Sequence, residues 1–280
     1  VEWIGLPLSF GLALLIVPAG VRGLAEAGLV RGNYRGSRLA FPLGAILATA
    51  ALVALAPLAF LNDRADLDLL DPGLRHWITY VLGIAFLGFL DDSLGQGMLA
   101  GAPRGWRGHA RALREGRLST GAIKAIGALA LAAYVVSGRG LESFGYLADV
   151  ALLILATNLF NLIDLRPGRA EKALVLLGLG LCIGAWTMEP VDLLGIFVGP
   201  VLVGAWFTLR ERAILGDTGS NLVGAIGGVW LLTTLDETGR LIALAIVAGL
   251  TVYGELRSIS KAVETIPPLR SLDSMGRVND

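Results

Sequence analysis

Four carboxylates stand at the ends of otherwise apolar runs. Asp91 and Asp92 close one run in GFLDDSLG, and Asp164 closes another in NLFNLID, three residues after Asn161 and six after Asn158. Asp217 opens a third in LGDTGSN. An acid in a membrane is costly, about 2.5–3.5 kcal/mol at a helix centre and less near the ends, so carboxylates kept there carry information. Clustered carboxylates repel one another unless a cation joins them. Oxygen donors suit Mg²⁺, which takes one or two carboxylates and leaves its other positions to water and substrate phosphates. Asn158, Asn161 and Asp164 fall on one slowly drifting helical stripe, each about 60° from the last. The helix that starts in LGDTGSN can cap itself through Thr218 or Ser220, or cradle a phosphate past Gly219 and Ser220. Basic residues around these acids, Arg35, Arg38, Lys124, Arg166 and Arg169, favour an anion. Acids, a metal and a basic rim suit phosphoryl chemistry on a lipid phosphate, where catalysis is mostly positioning and charge neutralisation.

Each motif also has a plainer reading. An aspartate pair at a helix end can be a solvated terminus, and inward polar residues can join helices in lipid. NYRG, with Asn33 and Arg35, reads equally as a turn. His76 and His109 read as loop residues. What gives the acids weight together is the side of the membrane on which the chain places them.

The elements that must position them follow from hydropathy. The chain of 280 residues is 55% hydrophobic and 16% charged, against about 25% charged in a soluble domain. Its mean hydropathy is +0.69. Apolar runs near the length of a membrane span predict an all-α polytopic membrane protein of nine helices, at 4–21, 41–61, 76–90, 121–137, 147–163, 172–188, 192–209, 220–235 and 240–257. With the N-terminus outside, all but Arg64, Arg75, Arg139 and Arg240 of the 23 basic residues fall on inner segments. That is the bias expected of cytoplasmic loops, and it predicts a cytoplasmic C-terminus. Under this topology Asp91, Asp92, Asp164 and Asp217 share the inner membrane face. The chain reads as one transmembrane domain, 1–280. Its longest cytoplasmic loop is 91–120, where GWRGHARALREGR suits a basic surface helix, and 258–280 forms a cytoplasmic tail. No cleavable leader is evident, since Glu2 precedes the first apolar run and Arg22 follows it. The single cysteine, Cys182, excludes an internal disulfide and a cysteine-based metal site.

In this order the motifs resemble those of the polyprenyl-phosphate N-acetylhexosamine-1-phosphate transferases, the superfamily of membrane enzymes that includes phospho-N-acetylmuramoyl-pentapeptide transferase. NYRG corresponds to the first-loop motif, GFLDD to the aspartate pair, and STGAIK carries the expected lysine, Lys124. NLFNLID matches NxxNxxD, and LGDTGS matches GDxGS; the likeness runs through most of the chain. The resemblance implies a Mg²⁺-dependent enzyme of the bacterial cytoplasmic membrane that serves envelope polymer synthesis. Such enzymes move a sugar phosphate from a UDP-sugar to a polyprenyl phosphate and release UMP. It implies a homodimer and no nucleic-acid partner. By position, Asp91 becomes the base or phosphate-orienting acid, with Asp92 beside it as a further catalytic or metal-binding acid. Asp217 becomes the principal Mg²⁺ ligand. Asp164, Asn158 and Asn161 line the metal and nucleotide site, and Lys124 meets a phosphate.

The chain departs from the family pattern in its second half. Relatives continue DGxDGLA where this chain reads DLRPGRA, so Pro167, with neither charge nor N–H, occupies the second acid's place. Arg166 and Arg169 reverse the local sign and become candidates for substrate binding. The final inner segment, PPLRSLDSMGR, lacks the histidines of the peptidoglycan enzyme, and Arg270 is its candidate charge. A rewritten donor half also suits a second class of function, a non-catalytic membrane scaffold or lipid-phosphate-binding partner in envelope assembly. A transporter fits less well, because transporter acids line a path near the midplane.

Overall fold

The apolar runs become nine long helices in the computed structural model, which describes residues 4–65, 69–94 and 120–278. They are α1 (Gly5–Glu26), α2 (Leu43–Ala65), α3 (Pro72–Leu94), α4 (Thr120–Ser137), α5 (Ser143–Ile163), α6 (Arg169–Ala185), α7 (Glu189–Leu209), α8 (Gly216–Thr234) and α9 (Glu237–Leu256). Two short helices follow, α10 (Ile259–Thr265) and α11 (Pro267–Ser274). The predicted third span, 76–90, is longer than expected because Asp71 caps it. Its Oδ1 accepts a hydrogen bond from the Leu74 N–H at 3.0 Å, and Pro72 fills the first position, where a missing N–H costs nothing.

Seven of the helices, α1 to α5, α7 and α9, are long and apolar enough to cross a membrane. The expected spans at 172–188 and 220–235 are helices too, α6 and α8, of a different composition. Helix α6 has only 17 residues and opens on Arg169, Glu171 and Lys172. Helix α8 opens on GDTGSN and is buried by protein from Gly216 to Leu232, except at Asp217. A helix surrounded by protein need not present apolar side chains to lipid, so its composition can be richer in glycine and polar residues. Among the described residues the all-α expectation gains one exception, an antiparallel hairpin of β1 (Val30–Gly32) and β2 (Arg38–Ala40) between α1 and α2.

Helix α8 is the axis of the fold and packs against α2, α3, α5, α6 and α7. Its glycines permit the close approach, as small residues do between membrane helices. A Cβ on Gly224 would lie 2.7 Å from Thr157 Cα in α5, and one on Gly227 would lie 2.9 Å from the Phe160 ring. Gly44 in α2 meets the backbone of Gly219 so closely that no side chain fits between them. Helices α1 and α7 pair in the same way, and Ser9 Oγ donates to Gly195 O at 3.1 Å. At the end of the bundle where α4 passes into α5, the buried Asp149 lies between Arg139 at 3.5 Å and Arg240 at 3.2 Å. That triad ties the α4–α5 connection and the start of α9 to α5.

Residues 258–278 are neither extended nor detached: α10 and α11 fold back against the start of α6. Only the ends of the 91–120 loop are described. The proposed surface helix in GWRGHARALREGR and His109 lie outside the described residues.

Candidate functional site

The C-terminal ends of α3 and α5 and the N-terminal ends of α4 and α8 meet at one end of the bundle. This end carries Asp91 and Asp92 from α3, Lys124 from α4, Asn158, Asn161 and Asp164 from α5, and Asp217 from α8. The sequence places these residues on one membrane face; the fold draws most of them into one group.

Helix α8 is organised by a residue from another helix. Its own N-cap, Leu215, offers no side-chain acceptor. Asp92 supplies one: Oδ1 accepts from the Asp217 N–H at 3.0 Å, and Oδ2 accepts from the Thr218 N–H at 2.8 Å and the Thr218 hydroxyl at 2.6 Å. A carboxylate at this position satisfies otherwise orphaned N–H groups and meets the positive end of the helix dipole. Gly216, at φ +76°, turns the chain into the helix, and Arg31 approaches Asp92 Oδ1 to 3.9 Å. Asp92 is therefore engaged in holding Asp217 in place. Gly219 and Ser220 face the interior, Gly219 against Gly44, while the Ser220 hydroxyl donates to Asp217 O at 3.4 Å.

Lys124 joins the other two acids. Its Nζ lies 2.8 Å from Asp217 Oδ2 and 3.8 Å from Asp91 Oδ2. The Asp91 and Asp217 carboxyls are themselves within hydrogen-bonding reach of one another, and Thr120 reaches Asp91. Asn161 Nδ2 donates to Asn221 Oδ1 at 3.1 Å and also reaches the Asp217 carboxylate. Asn221, buried in α8, keeps its own Nδ2 without a partner. Asn158 is half-buried one helical turn before Asn161. Asp164 ends α5 and feels the charges of Glu171, Asp217 and Asp92, opposed by Arg169. Its carboxylate makes no hydrogen bond or ion pair among the described residues.

Of the arginines predicted to bind substrate, Arg166 and Arg169 pair with acids of the C-terminal segment. Arg169 is buried and grips Asp273 of α11 with both arms, Nε to Oδ1 at 2.8 Å and one terminal nitrogen to Oδ2 at 2.9 Å. Its other terminal nitrogen donates to Ser260 Oγ at 3.0 Å. Arg277 bonds Asp273 Oδ1 at 2.7 Å and Pro167 O at 3.1 Å. Burial alone would raise the Asp273 carboxyl, but the hydrogen bonds and charges of Arg169 and Arg277 outweigh it and hold it below the usual carboxylate range. Arg166 donates to Glu264 at 3.1 Å and stacks over the Tyr34 ring at 4.3 Å. Arg270 is exposed on α11.

Asn33 is likewise a structural residue of its hairpin. Its Oδ1 accepts from the N–H groups of Arg35 and Ser37, both at 2.9 Å, and its Nδ2 donates to Glu211 at 2.8 Å. Arg35 approaches the same glutamate to 3.7 Å.

Several participants escaped the sequence reading. Asn221 follows directly on GDTGS and could have been read from that motif. Arg31, Glu211 and Asp273 had no local signal, because each matters through a partner far away in the chain. Glu171 looks like a solvated first-turn acid in RAEKA, yet it is buried. Its Oε1 accepts from the Thr208 hydroxyl at 2.6 Å and its Oε2 has no partner.

Among the described residues, no three or more His, Cys, Asp or Glu side chains are grouped so that they could hold a metal ion. What converges is a pair, Asp91 and Asp217, with a lysine ammonium between them. Two carboxylates with neighbouring space are what Mg²⁺ uses when phosphates and water supply its remaining oxygens. The ammonium marks a position that favours positive charge. Among the described residues, Lys124 pairs with Asp91 and Asp217, and Arg31 with Asp92. Asp91 and Asp217 are the oxygen donors that a divalent cation would use here. Compared with known protein families and with curated proteins, the chain matches no family model and no curated protein.

Proposed function

We propose that the chain transfers a sugar 1-phosphate from a nucleotide-sugar, UDP-linked by the resemblance, to a polyprenyl phosphate at the cytoplasmic face of a bacterial membrane, as a step in envelope polymer synthesis. The observation that carries this reading is the Asp91–Lys124–Asp217 bridge at the polar end of an apolar bundle. It combines carboxylates for a divalent cation with a cation for a phosphate, at the level where a lipid headgroup lies.

Asp217 and Asp91 would hold Mg²⁺, which neutralises the charge that develops on the donor's pyrophosphate. Asp92 keeps Asp217 in register by capping α8. Lys124 would orient a phosphate oxygen. A non-bridging oxygen of the lipid phosphate attacks the sugar-bearing phosphorus. The bond from that phosphorus to the bridging oxygen breaks, and UMP leaves with the electron pair. Asp91 accepts a proton from the lipid phosphate where that group is protonated, and Asn158, Asn161 and Asp164 line the nucleotide side.

A non-catalytic lipid-phosphate-binding partner is the second reading. The engagement of Arg166 and Arg169 by Glu264 and Asp273 favours it, since neither arginine is then available to a donor.

Purified protein in nanodiscs, supplied with Mg²⁺, undecaprenyl phosphate and a panel of UDP-sugars, should release UMP, and Asp217→Asn and Asp91→Asn should abolish the release. No UMP with any donor, together with no thermal stabilisation by Mg²⁺, would sink the enzyme reading.

A further inference from the structure

Helices α10 and α11 have 7 and 8 residues, and neither contains a buried residue. Helices that short are marginal on their own, so contacts with the rest of the chain must order them. Polar contacts do so, and they gather on residues 166–172, the turn after Asp164 and the first turn of α6. Arg166 donates to Glu264 at 3.1 Å, and Pro167 O accepts from Arg277 at 3.1 Å. Arg169 donates to Ser260 at 3.0 Å and to both oxygens of Asp273, at 2.8 and 2.9 Å. Lys172 Nζ donates to Leu272 O at 3.1 Å.

The centre of this set is the grip of Arg169 on Asp273. A guanidinium presents two parallel N–H groups, a fork that carboxylate and phosphate oxygens match alike. Lys172, three residues on, reaches the same stretch of α11. A guanidinium and an ammonium side by side, on the turn that leads away from Asp164, suit a phosphate as well as a carboxylate. Asp273 therefore fills a place fit for a second kind of anion, and the helix that carries it has no buried residue to hold it there.

We propose that residues 258–278 form an autoinhibitory latch on the 166–172 turn, in which Asp273 holds the Arg169 fork that a phosphate-bearing ligand takes when the segment lifts. The exchange is anion for anion, so the buried guanidinium is not left without a partner, which would be strongly destabilising. The inference rests on reading this end of the bundle as a phosphate site, and it names the step that admits the ligand. That phosphate belongs to a lipid headgroup or to a soluble diphosphate, since both present the same oxygens.

The test is hydrogen–deuterium exchange of the full chain in nanodiscs, read over 259–277 with α8 as internal reference. Undecaprenyl phosphate in the disc and UDP in solution are the two arms, with sodium chloride at matched ionic strength as control. At least one phosphate should speed exchange in the segment several-fold beyond the salt, with α8 unchanged, and the arm that does so identifies the source. Asp273→Asn should bind that ligand several-fold more tightly than wild type, because the competing carboxylate is gone, and Arg169→Gln should not respond to it. Glu264→Gln, which loosens the other end of the latch, should also bind more tightly and serves should Asp273→Asn fail to fold. Exchange that answers only to ionic strength, or to nothing, would overturn the latch in favour of a structural clasp. Weaker binding by both acid variants would overturn it too. UMP release with a segment that stays closed would sink the latch alone, whereas a segment that opens without UMP release would uphold it and sink the transferase.

Discussion

Asp92 belongs to α3 by sequence and to α8 by bonding, since both of its oxygens accept from the first residues of the helix that carries Asp217, at 3.0 and 2.8 Å. The aspartate pair is thereby divided. Asp91 turns towards Lys124 and the open end of the bundle, and Asp92 turns inward to fix the backbone beneath Asp217. Adjacent acids at a helix end point about 100° apart, so one pair can serve two helices.

Replacing Asp92 with alanine should therefore cost stability before it touches chemistry. It strands two buried N–H groups, a loss of about 1–3 kcal/mol for each buried group left unsatisfied. Asp92→Asn, which keeps one acceptor oxygen, should recover part of this. Thermal unfolding in detergent, read for all three proteins, checks the order wild type, Asn, Ala. An unchanged midpoint for Asp92→Ala would show that the cap contributes nothing.

Lys124→Gln removes the ammonium between Asp91 and Asp217 and leaves the two carboxylates facing one another. The variant should be less stable without divalent cations and gain more from Mg²⁺ than wild type. The expected change is a roughly tenfold or greater tightening of apparent affinity, equivalent to about 1.4 kcal/mol. A Mg²⁺ titration of the unfolding midpoint reads this directly through linkage. Equal Mg²⁺ shifts in the two proteins would place the cation elsewhere.

The Asp273 clasp predicts a pH dependence with a defined sign. The carboxyl is held below its usual range in the folded protein, so the folded state binds its proton less readily than the unfolded chain. Its stabilisation is complete above the ordinary aspartate value of about 3.9 and is lost as pH falls through the depressed value. Asp273→Asn should lower the unfolding midpoint at neutral pH and bring it closer to wild type as the medium is made more acidic. A difference that does not narrow in acid would count against the ion pair as its cause.

Gly44→Ala tests the contact of α2 with α8. An added methyl would overlap the Gly219 backbone, which cannot rotate away as a side chain can. The cost should be on the order of 1–3 kcal/mol or more, as for overpacked cores. Gly20→Ala serves as the milder comparison, because its methyl would meet only the Ile46 side chain. Detergent-solubilised yield and size-exclusion profile separate the two variants. Similar profiles would argue that α2 and α8 can move apart at little cost.

The sequence by itself determined that the chain is a bundle of long apolar helices, and it brought GFLDD, NLFNLID and LGDTGS to attention. Hydropathy and 3.6-residue spacing are local properties, readable without knowing what packs where. The expected bounds of most helices agree with the structure to within a few residues for the same reason. Which helices are covered by protein, and which group each charge meets, depends on contacts between segments far apart in the chain. Helix α8 reads as one more apolar run, and its burial comes from neighbours drawn from other helices. Arg169 reads as a substrate-binding charge, yet it is spent on Asp273, 104 residues away. Asp92 stands beside Asp91 in the sequence, and it caps a helix that begins 124 residues later. Each of these pairings is a long-range electrostatic or hydrogen-bonding match, and local residue spacing carries no record of it.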